Sequence, residues 1–210
     1  MTILALDVDG VLLDPDRGGK GHWSAEVERQ HGITGDQLVE AFFAPLWQDI
    51  VTGRRPIEPG LADALRRLGS TADAEDVLAT WLAADCVMFP DTVQLARRAS
   101  EAGIPVVLAT NQEHRRASDL RARLNGHFPL TDLLYSADLG HPKPTAEFFE
   151  LASARLGVAP DARSSIVFAD DSEANVDAAR RAGWRAVHAV AGNGWIGEVE
   201  ALLGLDSTAG

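Results

Sequence analysis

S-I-V-F-A-D-D-S-E-A-N-V-D-A-A-R-R-A-G, residues 165–183, is the stretch from which the fold can be read. Residues 165–169 are a short, nearly continuous apolar run, the pattern of a strand covered on both faces. The run ends in two adjacent carboxylates. From Glu173 to Ala182 the apolar spacing becomes helical, and Gly183 supplies the stop. The same strand-then-helix unit recurs upstream. Residues 104–109 lead into a charged, Arg-rich helix over 113–124, which reads as a solvated face. Residues 133–136 precede a helix capped by Thr145, with Phe148, Phe149, Ala152 and Leu156 on one side and Gly157 as its stop. A further strand is expected over 185–190, and Thr2–Val8 reads as the first. Asp91 is expected to cap a helix reaching Ala102, with Gln94 completing a capping box and Gly103 ending it. This alternation predicts an α/β, Rossmann-like parallel sheet with helices on both faces.

Residues 14–90 break the rhythm. They show no convincing strand. Leu38, Phe42, Phe43, Leu46, Trp47 and Ile50 repeat at helical spacing, as do Leu61, Ala64, Leu65 and Leu68. Val77 and Trp81 begin a further helix, and Pro56 and Pro59 separate the pieces. The expected organisation is a core domain made of 1–13 and 91–210, with 14–90 a helical insertion on the loop after the first strand. Residues 207–210 are expected to be a frayed tail.

Composition narrows the function. With 46% apolar and 24% charged residues the chain is an ordinary globular one, not a disordered one. Its net charge of −12 repels polyphosphate backbones, which argues against nucleic acid as a partner. No apolar run is long enough to span a bilayer. Cys86 is the single cysteine and cannot form an internal disulfide. The start, M-T-I-L-A-L-D, has no basic region before its first charge, so a cytoplasmic location is expected. Arginine is the default cation, and Lys20 and Lys143 are the only lysines. A lysine kept at a strand end therefore invites a chemical reason.

Four motifs fall at expected strand ends, where a parallel sheet binds its ligands. D-V-D-G (7–10) offers two carboxylates two residues apart, and Gly10 lets the chain turn away. A-T-N (109–111) puts a hydroxyl and an amide just before a helix. G-H-P-K-P (140–144) holds Lys143 between two prolines. F-A-D-D-S-E-A-N (168–175) offers two anions side by side, a pattern that calls for a nearby cation; oxygen ligands with few neighbours suit Mg²⁺. Separately each has a bland reading: a solvated strand end, a helix cap, a surface lysine. Together they supply a nucleophile, an acid/base, a hydroxyl, a cation and a metal site, the set needed for phosphoryl transfer through an aspartyl-phosphate.

With D-x-D, T-N, K-P and D-D in this order, the chain resembles the haloacid dehalogenase superfamily along nearly its whole length, in particular its phosphatases with a helical cap after the first strand. The resemblance implies Asp7 as nucleophile and Asp9 as general acid/base. It implies that Thr110 and Asn111 hold the phosphoryl group, with Lys143 neutralising it. Mg²⁺ would be bound by Asp7, the backbone carbonyl of Asp9 and Asp171, with Asp170 behind them. Asn175 departs from the pattern, since many members carry a further acid there. The family's true dehalogenases lack the second acid of the first motif, so Asp9 argues against dehalogenation.

The expected activity is Mg²⁺-dependent hydrolysis of small, sugar-phosphate-like monoesters. The mechanism asks Asp9 to carry a proton near neutral pH, so its pKa is expected to be raised. A phosphomutase and a non-enzymatic phosphate sensor remain alternatives; the sequence leaves the oligomeric state open. Candidate selectivity residues are Trp47, Phe43, Arg54, Arg55, Trp23 and His22, although helix packing is the plainer reading of Trp47 and Phe43, and solvation that of Arg54 and Arg55. His114 and His141 flank the motifs and read as polar loop neighbours.

Overall fold

The computed structural model describes residues 1–16, 19–124 and 126–205; the expected tail at 207–210 lies outside them. The described chain begins with β1 (Ile3–Leu6), followed by α1 (Ser24–His31), α2 (Gly35–Leu38), α3 (Ala44–Val51), α4 (Ile57–Arg67) and α5 (Ala74–Ala84). It continues through α6 (Pro90–Glu101), β2 (Val106–Thr110), α7 (His114–Leu124), β3 (Asp132–Tyr135), α8 (Ser136–Leu139) and α9 (Ala146–Arg155). A 3₁₀ segment (Pro160–Ser165), β4 (Ile166–Asp170), α10 (Glu173–Arg181), β5 (Arg185–His188) and α11 (Trp195–Leu203) complete it.

The five strands form one sheet in the order β3-β2-β1-β4-β5, and every pairing is parallel. The strands alternate their side chains between two apolar layers, as a period of two requires. Leu4, Leu6, Val106, Leu108, Leu133 and Val167 pack with Leu95, Leu120 and Val199 of α6, α7 and α11. Ile3, Ala5, Val107, Leu134, Ile166 and Phe168 pack with Phe148, Phe149 and Val176 of α9 and α10, and with Trp184. β1 is central, with β2 on one side and β4 on the other, so the chain reverses direction across the sheet at β1. The crevice at such a reversal is where open α/β sheets bind ligands.

Helices α1–α5 gather around a third apolar cluster that includes Val27, Phe42, Ile50, Leu61, Leu65 and Leu78. A π-helical turn, Val39–Phe43, widens the path between α2 and α3. Pro45 in the first turn of α3 has no N–H to donate, which suits such a turn. The two connections to the sheet run side by side. Leu13 bridges Met88 antiparallel, Asp14 N–H donates to Val87 at 2.8 Å, and Phe89 N–H donates to Leu12 at 2.9 Å.

Three local expectations change. Asp91 does not cap α6; the helix begins at Pro90, whose missing N–H costs nothing in the first turn, and Phe89 precedes it. Thr145 stands at the N-cap of α9, yet its hydroxyl donates to the Pro142 carbonyl at 2.6 Å. Helix α7 is not simply a solvated face: Arg116, Ala117, Leu120 and Leu124 are buried.

Candidate active site

The carboxyl ends of β1, β2 and β4 meet in one place. Asp7 follows β1, and its N–H still bonds Ala169 of β4 at 2.9 Å. β1 ends at Leu6, so strand alternation alone does not aim Asp7 and Asp9; the turn does. Gly10 makes that turn at φ +78°, and a Cβ there would lie 2.4 Å from Asp171 Oδ2. Both features favour glycine.

Lys143 is fully enclosed. Its Nζ lies 2.9 Å from Asp7 Oδ1 and also donates to Asp170 Oδ2. Burial alone would lower its pKa, but Asp7 and Asp170 outweigh that and hold it above its ordinary value. The ammonium therefore stays charged. Asp170 is 0% exposed, and both its oxygens are engaged. Oδ1 accepts from Ser172 N–H at 2.8 Å and Asn175 Nδ2 at 3.0 Å, while Oδ2 accepts from Lys143 and, at 3.1 Å, from Asn175. The amide at 175, where an acid was the family pattern, thus acts as a donor to Asp170.

Asp7, Asp170 and Asp171 bring carboxylate oxygens within 4.8 Å of one another. Hard oxygen donors in this number suit Mg²⁺, which keeps part of its shell for water and substrate. Burial, more than any neighbour, pushes Asp7 up to about 7; Lys143 opposes the rise, and Asp170 and Asp9 add to it. Asp171 is also raised, by burial first and by Asp170 next. Carboxylates this reluctant to ionise gain most from a divalent cation.

The side chain of Asn111 is committed to the lysine loop. Its Oδ1 accepts from Lys143 N–H at 2.7 Å and its Nδ2 donates to the Lys143 carbonyl at 2.9 Å. Asn111 thus fixes Lys143 with both polar atoms of its side-chain amide. Thr110 ends β2 and is buried, its hydroxyl 3.4 Å from Gln112 Nε2.

Asp9 differs from expectation. Its carboxylate is half-exposed and accepts a fork from Arg116, with Nη1 at 2.9 Å from Oδ2 and Nη2 at 2.6 Å from Oδ1. Gln112 Nε2 adds a bond at 2.8 Å. Burial would raise its pKa, but the charge and hydrogen bonds of Arg116, helped by Gln112, hold the carboxyl below its usual range. The expected upward shift is therefore reversed, because the charge and hydrogen bonds of Arg116 outweigh burial. Arg116, Gln112 and Asp85 were not among the sequence candidates. A signal existed for Arg116: it lies at i, i+4, i+8 with Leu120 and Leu124, on the apolar stripe of α7.

The aromatic candidates pack mainly on one another. Trp23 stacks on Trp81 at 4.4 Å, and Phe43 and Trp47 meet edge to face at 5.2 Å. Trp47 and Phe43 keep partial exposure, while His22 is exposed. Arg54 pairs with Asp49 at 3.0 Å, and Arg55 is exposed. His114 lies 3.2 Å from the Tyr135 hydroxyl, and His141 is exposed. No helix among the described residues is long and apolar enough to cross a membrane.

A family model for haloacid dehalogenase-like hydrolases matches residues 1–183. The structure is similar to a HAD family enzyme of Bacteroides thetaiotaomicron in complex with magnesium and inorganic phosphate. The TM-score is 0.74 at 18% identity, over 93% of this chain and 97% of that one. It is similar to a predicted HAD-like family hydrolase of Porphyromonas gingivalis, with TM-score 0.72 and 20% identity over 97% and 98% of the two chains. An L-2-haloacid dehalogenase also matches, with TM-score 0.63 and 19% identity over 89% of this chain and 82% of that one. At these identities the likeness is one of fold. No curated protein matches the sequence.

Proposed function

The chain belongs to the haloacid dehalogenase-like hydrolases, and on that premise we propose that it hydrolyses small phosphate monoesters, sugar phosphates foremost, through an aspartyl-phosphate on Asp7. The observation that carries this reading is Asp9 beside Asp7. A halide leaves without a proton, whereas the alcohol oxygen of an ester needs one. The magnesium and phosphate bound by the Bacteroides enzyme support the same reading.

Asp7, the backbone carbonyl of Asp9 and Asp171 would hold Mg²⁺, which supplies neutralisation of phosphoryl charge. Asp170, already saturated by Lys143, Asn175 and Ser172, would stand behind them and orient the site. Lys143, the hydroxyl of Thr110 and Asn111 would hold the phosphoryl group, the side chain of Asn111 also keeping the lysine in place. An Asp7 oxygen attacks phosphorus as the bond to the alcohol oxygen breaks, and Asp9 passes a proton to that oxygen. Asp9, again a carboxylate, then takes a proton from the water that cleaves the aspartyl-phosphate. Since Arg116 holds Asp9 ionised at rest, its first proton arrives with the substrate, as the monoanion of the ester, and the proton it takes from water leaves with the released phosphate.

In this reading residues 1–13 and 91–210 are the core and residues 14–90 the cap that reads the rest of the substrate, Trp47, Phe43, Arg54 and Arg55 being its selectivity candidates. Such a cap admits a sugar and obstructs a folded protein. The acidic charge and single cysteine suit a cytoplasmic enzyme. The test is a panel of phosphate esters and 2-haloacids assayed with Mg²⁺. Phosphate release from sugar phosphates is expected. Halide release without phosphate release would overturn the reading, and transfer to a second sugar hydroxyl would make the protein a mutase.

A further inference from the structure

Arg116 has no part in the phosphoryl or metal contacts assigned above, yet both its terminal nitrogens are engaged beside them. It is 6% exposed on α7. Its two terminal nitrogens grip both oxygens of Asp9, Nη1 also lies 3.0 Å from Gln112 Oε1, and Nη2 lies 2.7 Å from Asp85 Oδ2. Asp85 is buried directly after α5, the last helix of the 14–90 layer, and Trp81 Nε1 points to it at 3.4 Å. One guanidinium thus joins the acid/base to the helical layer. A planar fork fixes a carboxylate in orientation as well as in place, which an ammonium does not. Enclosing Arg116 with Asp85 carries a desolvation cost, and fixing one arrangement of the half-exposed Asp9 is a use such a grouping can serve.

Resting on the phosphatase reading, the geometry points to Arg116 as a positioning residue that sets the rotamer of Asp9, with Asp85 anchoring Arg116 to the cap. Arg116 then acts only through Asp9, and its loss matters only for steps in which Asp9 moves a proton.

The test compares Arg116→Met, Arg116→Lys and Asp85→Asn, each made in the wild type and in Asp9→Asn. Turnover of an alkyl phosphate is read beside the nitrophenolate burst from an aryl phosphate, whose leaving group needs little protonation. Arg116→Met is expected to cut alkyl turnover on the order of 100-fold. KM and the aryl burst should stay within about threefold. Arg116→Lys should recover part of the loss, because it restores charge without the fork. In the Asp9→Asn background Arg116→Met should cost no more than about twofold. An aryl burst that falls as far as alkyl turnover, or losses that multiply in the double variant, would overturn the proposal. If Arg116→Met does not fold, Asp85→Asn carries the same comparison. If the wild type releases phosphate from no ester, the phosphatase reading fails while the positioning claim is still decided by crystal structures. Asp9 should hold one rotamer in the wild type and several in Arg116→Met; a single unmoved rotamer in both would refute it.

Discussion

Lowering the pH from about 8 to about 6 should weaken Mg²⁺ binding to the metal-free protein about tenfold, because the ion must displace a proton from Asp7. Burial raises that carboxyl to about 7. With this value roughly nine-tenths of it is ionised at about pH 8 and one-tenth at about pH 6, a difference of about 1.4 kcal/mol in binding. Asp171 is raised as well, by burial and then by Asp170. Stability of the metal-free protein moves in the opposite direction. A carboxyl whose folded pKa lies above its ordinary 3.8 favours the folded state at acid pH, and that advantage is lost as pH rises through about 7. Mg²⁺ should therefore raise Tm more at pH 8 than at pH 6. The assay is titration calorimetry with Mg²⁺ in two buffers of different protonation enthalpy, where heat that scales with the buffer counts the protons released. Affinity independent of pH across this range, or no proton release near neutrality, would refute the assignment of Asp7 as a buried, cation-dependent ligand.

Asp9→Asn should depress hydrolysis of alkyl phosphates by about 10²–10⁴-fold, and the first step with a nitrophenyl ester much less, as burst kinetics would show. Ca²⁺ should bind and inhibit, since it takes more oxygens at longer distances and can draw both oxygens of Asp7 out of line; equal activity with either ion would contradict the site. Asn111→Ala frees the Lys143 loop from two bonds and should lower kcat for every ester alike, so unchanged rates across the panel would remove its assigned role. Gly53→Ala would put a methyl 2.3 Å from the Ala137 carbonyl at φ +73°, and should cost about 1–3 kcal/mol in chemical denaturation.

The sheet was legible because burial on both faces leaves uninterrupted apolar runs, and because Gly10, Gly157 and Gly183 mark where the chain turns. The runs overreach the strands by one to three residues: hydropathy continues through Asp7 and Val8, whereas ladder pairing of β1 stops at Leu6. Lys143 stood out because arginine serves everywhere else but at Lys20. What stayed hidden depends on contacts remote in sequence. Asp9 and Arg116 are 107 residues apart, and no local pattern announces that an arginine will outweigh nearby carboxylates. Charge on α7 masked the stripe Arg116, Leu120 and Leu124, since an arginine at an apolar position looks solvated until a buried Asp85 is there to meet it. Nor does anything local announce that the Asn111 side chain will hold a backbone that arrives 32 residues later.

The central position of β1 also sets a problem of timing during synthesis. It leaves the ribosome before the other four strands, yet its partners are Val106 and Val167, as the register of Leu4 with both shows. At roughly 5–20 residues per second the wait for β2 alone is on the order of 5–20 s. Throughout it, a strand destined to be wholly enclosed has no neighbour, while the helices of 14–90 already have their own apolar cluster to form. Among these elements the helices of 14–90 should therefore form stable structure before the sheet, and β1 should be a natural target of chaperones that shield apolar segments.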